Sequence, residues 1–128
     1  MDENQITYEV RDCIYKVYKN LGPGLLETIY EEALAYELKK KALLFERQKE
    51  VPVYYDGTLL SSALRLDILV EDRVIIELKS VKELQDIHYK QLLTYLNLSG
   101  LYVGLLVNFN VDNILDGMHR VYNPKARK

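Results

Sequence analysis

A chain of 128 residues, 48% hydrophobic and 28% charged, is long enough for one domain with a real core, expected to span residues 1–128. Its net charge of −2 argues against a coat or architectural protein held to nucleic acid by bulk positive charge. A lone cysteine, Cys13, excludes an internal disulfide and a four-cysteine zinc or iron–sulfur site, and no apolar run reaches the ~18 residues of a membrane span.

The first five residues are polar and acidic, unlike a signal peptide, so the cytoplasm is the expected location and no membrane partner is expected. Residues 4–20 carry Ile6, Val10, Cys13, Ile14, Val17, Tyr18 and Leu21 at helical spacing, which predicts an amphipathic helix with Cys13 as a packing thiol. Asn20 to Gly24 stops it. A second helix is predicted from about Leu25 to Lys41, with Ile29, Ala33 and Leu38 as core candidates and Lys39, Lys40 and Lys41 at the negative end of its dipole. Glu27 shares a stripe with Tyr30, Glu31, Leu34 and Leu38. It reads either as a helix-start acid or as a carboxylate aimed inward at the sheet.

Phe45 to Tyr55 alternates loosely, and Pro52 within it predicts an edge strand or a bulge. Asp56-Gly57 is a hairpin signal. The strand that begins near Leu59 leads into the stretch around which the chain is organised: two apolar strands, Leu64 to Val70 and Val74 to Val81, joined by Glu71-Asp72-Arg73. Alternation puts Leu64, Leu66, Ile68 and Val70 on one face and Asp67 on the other, with Glu77 and Lys79 sharing a face of the second strand. Both faces should be covered, and a buried carboxylate is costly unless it is paired or bound to a metal.

A three-residue turn pairs Val70 with Val74 and sets Asp67 opposite Glu77. A two-residue turn would separate the acids unless a bulge restored the phase. The first arrangement, or its bulged equivalent, is expected. Two like charges ~4 Å apart repel by about 4 kcal/mol at an effective dielectric near 20. The pair therefore needs a shared proton, a basic partner such as Lys79, or a hard divalent cation.

Val81 to Leu98 is predicted as the next helix, packed through Leu84, Ile87, Leu92, Leu93 and Leu96. His88, Gln91 and Tyr95 form a polar stripe on it, and its first turns must stay near the acids. Leu101 to Phe109 is a continuous apolar run, a buried strand reached by a crossover and so parallel to a neighbour. Gly117 to Tyr122 offers a short last strand, and Asn123 to Lys128 a basic, frayed tail. The order α, α, β, β, β, α, β with a final β makes a mixed sheet flanked by helices, α/β or α+β.

The ordered set of Glu27 on a helix, Asp67, Glu77-x-Lys79, then Gln91 and Tyr95 resembles the PD-(D/E)XK nuclease superfamily. Within it the chain is similar to the small proteins named for G-x-x-E-x-x-Y, here Gly24-Leu25-Leu26-Glu27-Thr28-Ile29-Tyr30. The likeness runs from about Ile6 to Tyr122. Leu66 stands where the name-giving proline would be, which many members also lack. The resemblance implies a restriction-endonuclease-like αβββαβ core with an extra N-terminal helix. It further implies a divalent metal, Mg2+ with Mn2+ as a substitute, held by Asp67, Glu77 and the carbonyl of Leu78. By the same resemblance Lys79 positions or helps deprotonate the attacking water, and Glu27 orients a metal-bound water or completes a second metal site. Gln91 and Tyr95 hold the centre or contact a phosphate.

The expected function is a metal-dependent nuclease that hydrolyses phosphodiester bonds in DNA, with RNA not excluded. Phosphates could be met by Lys39, Lys40, Lys41, Lys49, Lys82 and Lys90, and a homodimer would suit two strands. One alternative is a catalytically inactive nuclease-fold binding module in a nucleoprotein complex. Another is a structural protein whose acids form a salt-bridged core with Lys79, Arg65 and Arg47.

Overall fold

The computed structural model describes residues 1–126. Helices α1 (Glu3–Leu21) and α2 (Glu27–Lys40) come first, followed by strands β1 (Phe45–Tyr55), β2 (Thr58–Val70) and β3 (Val74–Lys79). Helix α3 (Asp86–Ser99), strand β4 (Val103–Asn108), a 3-10 turn and strand β5 (Met118–Tyr122) complete the order. The five strands form one mixed sheet in the order β1-β2-β3-β4-β5. β3 and β4 run parallel and the other neighbours antiparallel, as the α3 crossover requires. No helix among the described residues is long and apolar enough to cross a membrane.

The core lies on both faces of the sheet. On one, Ile6, Val10, Cys13, Ile14 and Val17 of α1 and Tyr30, Leu34 and Leu38 of α2 pack on Ile68, Val70, Ile76, Leu78, Leu105 and Val107. On the other, Leu92 and Leu96 of α3 pack on Leu66, Leu69, Ile75 and Leu106. α3 can approach because β4 carries Gly104, where a Cβ would fall 2.9 Å from Leu92 Cδ1 and 3.1 Å from the Ile75 carbonyl oxygen. Cys13 is fully buried, and burial pushes its thiol up to about 11, as suits a packing residue.

The predicted helix boundaries shift in two places. α2 begins at Glu27 rather than Leu25, because Gly22 and Gly24 both hold positive φ in the preceding loop. Its buried stripe is the one that Glu27 shares, Tyr30, Glu31, Leu34, Ala35 and Leu38. Ile29 is 40% exposed and Ala33 only half-buried. α3 begins at Asp86 rather than Val81. Residues 81–85 form a loop, so the phase of the helix leaves Ile87 exposed and Leu93 at the margin. His88 caps its start by accepting from Gln85 N–H at 2.9 Å.

Strand predictions hold more closely. β1 is an edge strand with a register shift between Pro52 and Tyr54, and Asp56-Gly57 turns the hairpin with φ of 52° and 75°. The tail differs from expectation. Asn123 is buried, its Nδ2 donates to Leu101 O and its N–H to Tyr102 O, and Pro124–Ala126 make a 3-10 turn. The rest of the predicted frayed tail, 127–128, lies outside the described residues.

Candidate active site

The turn Glu71-Asp72-Arg73 joins β2 and β3 with Val70 paired to Val74, Leu69 to Ile75 and Ile68 to Ile76. This is the three-residue register, and one step further would set Asp67 opposite Glu77. The ladder ends before that step. β1 and β2 exchange faces at this level: Arg47 still points to α2, where its Nε donates to Glu31 at 3.0 Å, whereas Val51 and Leu66 pack on the α3 side. Gln48, between the pairs Arg47–Ile68 and Lys49–Leu66, carries a φ of 51°. The local change of hand re-aims both strands, so Leu66 leaves the face that simple alternation assigns it.

Beyond Ile68 and Ile76 the two strands are tied by acidic side chains. The Leu78 N–H donates to Asp67 Oδ2 at 2.8 Å, and the Asp67 N–H donates to Glu77 Oε1 at 3.4 Å. A carboxylate oxygen thus takes the place that a backbone carbonyl holds in an unbroken ladder. In an extended strand the N–H and C=O of one residue point to the same side. The Leu78 carbonyl therefore faces the same fork as its N–H.

Glu77 is only 5% exposed. Burial, the neighbouring Asp67 charge and a hydrogen bond between the two carboxyl groups push its acid up to about 9, against the smaller opposing pulls of the Asp67 N–H and then Lys79. Of the three remedies for a buried acid pair, a retained proton is the one this upward shift favours. Tyr95 of α3 is half-buried above this site, and its phenol is raised by burial first and then by Glu77 and Asp67. Lys79 is half-buried at the end of β3 and makes no ion pair among the described residues. Gln91 is exposed on α3, its side chain without a hydrogen bond among the described residues.

Glu27 reaches the same end of β3 but a different partner. Its carboxylate accepts the Ser80 N–H at 3.3 Å, and Ser80 Oγ donates to Leu25 O at 2.6 Å. Among the described residues no group of three or more His, Cys, Asp and Glu side chains is gathered for a metal. The acids form a pair, and Glu27 anchors the exit of β3. Tyr30 explains the rest of its motif: its hydroxyl donates to Gly22 O at 2.5 Å and accepts from Leu25 N–H at 3.1 Å. The ring stacks on Phe109 at 4.1 Å between centroids, so the loop before α2 is latched to the strand end after β4.

Sequence reasoning missed Asn108. It is 2% exposed at the end of β4. Its Oδ1 accepts from Val81 N–H at 3.1 Å and its Nδ2 donates to Val81 O at 3.0 Å, which fixes the chain just past Lys79. The signal was present, since an amide in an otherwise apolar buried run needs a partner.

A salt-bridged acidic core is not what the chain builds. Arg47 goes to Glu31, and Arg65 goes to Glu50 at 3.2 Å. Of the candidate phosphate-binding lysines, Lys40, Lys41 and Lys49 are held by acids. Lys39, Lys82 and Lys90 are exposed and without an ion pair among the described residues.

Two carboxylates and a carbonyl converging on one fork are a hard-oxygen donor set. That set fits Mg2+, which takes few protein ligands and keeps several waters. A family model of the PD-(D/E)XK nuclease superfamily matches residues 4–121. No curated protein and no solved structure matches the chain.

Proposed function

This chain belongs to the PD-(D/E)XK nuclease superfamily, and we propose that it is a metal-dependent nuclease that hydrolyses phosphodiester bonds in DNA, with RNA as the alternative substrate. The observation that carries this reading is the β2–β3 fork, where the Asp67 and Glu77 carboxyl groups meet with the Leu78 backbone between them. Asp67, Glu77 and the Leu78 carbonyl would hold Mg2+, or Mn2+ in its place. When bound, such an ion neutralises phosphoryl oxygens and acidifies a water.

The remaining groups divide the other tasks. The Lys79 ammonium orients the attacking water and offsets the phosphate charge. Tyr95, whose proton is held more tightly than in a free phenol, donates a hydrogen bond to a phosphate oxygen, and Gln91, on the same stripe of α3, meets the next one. Glu27 orients a water at the edge of the site and fixes Ser80, so that Lys79 leaves β3 in one direction. Lys82 and Lys90 steer the polyanion toward the fork.

Cleavage of single-stranded DNA, duplex DNA and RNA by purified chain in Mg2+ or Mn2+ tests this. Asp67→Ala and Glu77→Ala should each lower the rate at least about a hundredfold, and EDTA should abolish it. Cleavage that survives both substitutions, or ignores EDTA, removes the assignment.

The engagement of Glu27 with Ser80 favours one second reading. A site with two acids rather than three also suits a catalytically inactive nuclease-fold module within a nucleoprotein complex. Calorimetric titration separates the two, since the module binds no Mn2+ even at about millimolar concentration.

A further inference from the structure

The acid pair does not account for a second concentration of polar groups, on the opposite face of the sheet. There α1 and β5 border a cavity of about 500 Å³. Arg120 rises into it from β5, where its partner in the ladder is Leu105, a member of the core beneath α1. From α1, Asn4, Tyr8, Arg11 and Tyr15 recur at three- and four-residue spacing, so they form one stripe along the cavity wall. Tyr8 is 74% exposed and Tyr15 49%, which leaves both rings free to cover a ligand.

Arg120 is incompletely satisfied. Its Nη2 donates to Asn4 Oδ1 at 2.8 Å, and its guanidinium carbon lies 5.2 Å from the centroid of the Tyr122 ring. Its Nε is buried with no hydrogen-bond partner. Neither Arg120 nor Arg11 has an ion pair among the described residues. Asp12 lines the same cavity, but its carboxylate is committed to Lys41 at 2.8 Å and Lys16 at 3.3 Å. The Lys41 hydrogen bond holds it below the usual carboxylate range.

A half-buried guanidinium with no counter-ion among the described residues, and with one nitrogen alone hydrogen-bonded, is costly. Its natural complement is an oxygen anion that takes two of the donors in the guanidinium fork. Guanidinium groups from two different elements with uncovered tyrosine rings beside them suit a phosphate that carries a base, because each base offers a face to stack. We infer that this cavity binds a nucleoside phosphate. Arg11 and Arg120 hold the phosphate, and the base lies against Tyr8 or Tyr15. The ligand is either a free nucleotide or the end of a single strand.

The test is isothermal titration calorimetry on the full chain in EDTA, where metal at the fork plays no part. The probes are inorganic phosphate, AMP and a short single-stranded oligothymidylate. AMP should bind several-fold tighter than phosphate. Arg120→Gln and Arg11→Gln should each weaken AMP by about tenfold or more, the loss of one charge-assisted hydrogen bond. Arg11→Gln changes only an exposed helix position, so it tests the site without disturbing the sheet. Tighter binding of the oligonucleotide than of AMP assigns the ligand to a strand, and the reverse assigns it to a free nucleotide. Asp67→Asn should leave AMP binding unchanged, so the result is independent of whether the fork binds metal or cuts. Absence of binding by all three probes, phosphate bound as tightly as AMP, or AMP binding indifferent to Arg11→Gln would overturn the inference.

Discussion

The acid at Glu77 couples pH to folding in a direction opposite to that of most carboxylates. Its ordinary value is 4.5 and its value in the fold is about 9, set by burial first and then by Asp67. Between those two values the unfolded chain has released the proton and the folded chain still holds it. The folded state binds the extra proton, so Glu77 contributes its full stability below pH 4.5, loses it progressively as pH rises and has none left above about 9. The slope is about −1.4 kcal/mol per pH unit inside that window. From pH 6 to pH 8 the contribution falls by roughly 3 kcal/mol, a large share of the ~5–15 kcal/mol that holds a domain together.

Urea unfolding of the wild type and of Glu77→Gln, in EDTA, isolates this term. The glutamine variant lacks the titrating group, so the difference in stability between the two proteins should change by roughly 3 kcal/mol between pH 6 and 8, in favour of the variant as pH rises. Saturating Mn2+ at pH 8 should then raise the wild type by about 2.7 kcal/mol at a hundred times its dissociation constant and leave Glu77→Gln unmoved. Stability curves that run parallel across this range would refute the assignment of a retained proton to the Asp67–Glu77 pair.

Two further substitutions test how the site is supported. Tyr30→Phe removes the hydroxyl that bridges Gly22 O and Leu25 N–H at a fully buried position. It should cost about 1–3 kcal/mol, read as a lower urea midpoint with an unchanged m-value, and hydrogen exchange at Leu25 should quicken. Asn108→Ala strips the Val81 N–H of its acceptor and leaves the Val81 O only its second donor, Asn110 Nδ2 at 3.3 Å. The expected loss of about 1–3 kcal/mol should come with a fall in cleavage rate larger than any change in Mn2+ affinity, since the acids themselves are untouched.

Much of this fold is legible in the sequence. The β-branched runs around Glu71-Asp72-Arg73 specified a tight hairpin, and a three-residue turn dictates Val70 against Val74 by counting alone. Pro52 announced an edge, and the apolar run at Leu101–Phe109 announced a buried strand behind a crossover. What counting could not supply was where a ladder stops. Alternation assumes an unbroken strand, and the positive φ at Gln48 belongs to a residue that carries no glycine-like signature. Leu66 therefore changed faces without warning. Glu27 was recognisable as an unusual acid, but its partner Ser80 lies far along the chain and is chosen by how the α2 loop packs on the end of β3.

The sequence by itself determined the order of elements, the hairpin register and the identity of the acids, because these rest on local spacing and on turn chemistry. Only the tertiary structure decided that the Asp67 carboxylate would accept the Leu78 N–H, that Glu77 would be buried, and that the Glu27 carboxylate would accept the Ser80 N–H. The physical reason is that burial and hydrogen-bond partnership are properties of the assembled neighbourhood. A carboxylate reads the same in any sequence. Whether it is a solvated charge, a strand anchor or half of a proton-sharing pair depends on what the rest of the chain brings against it.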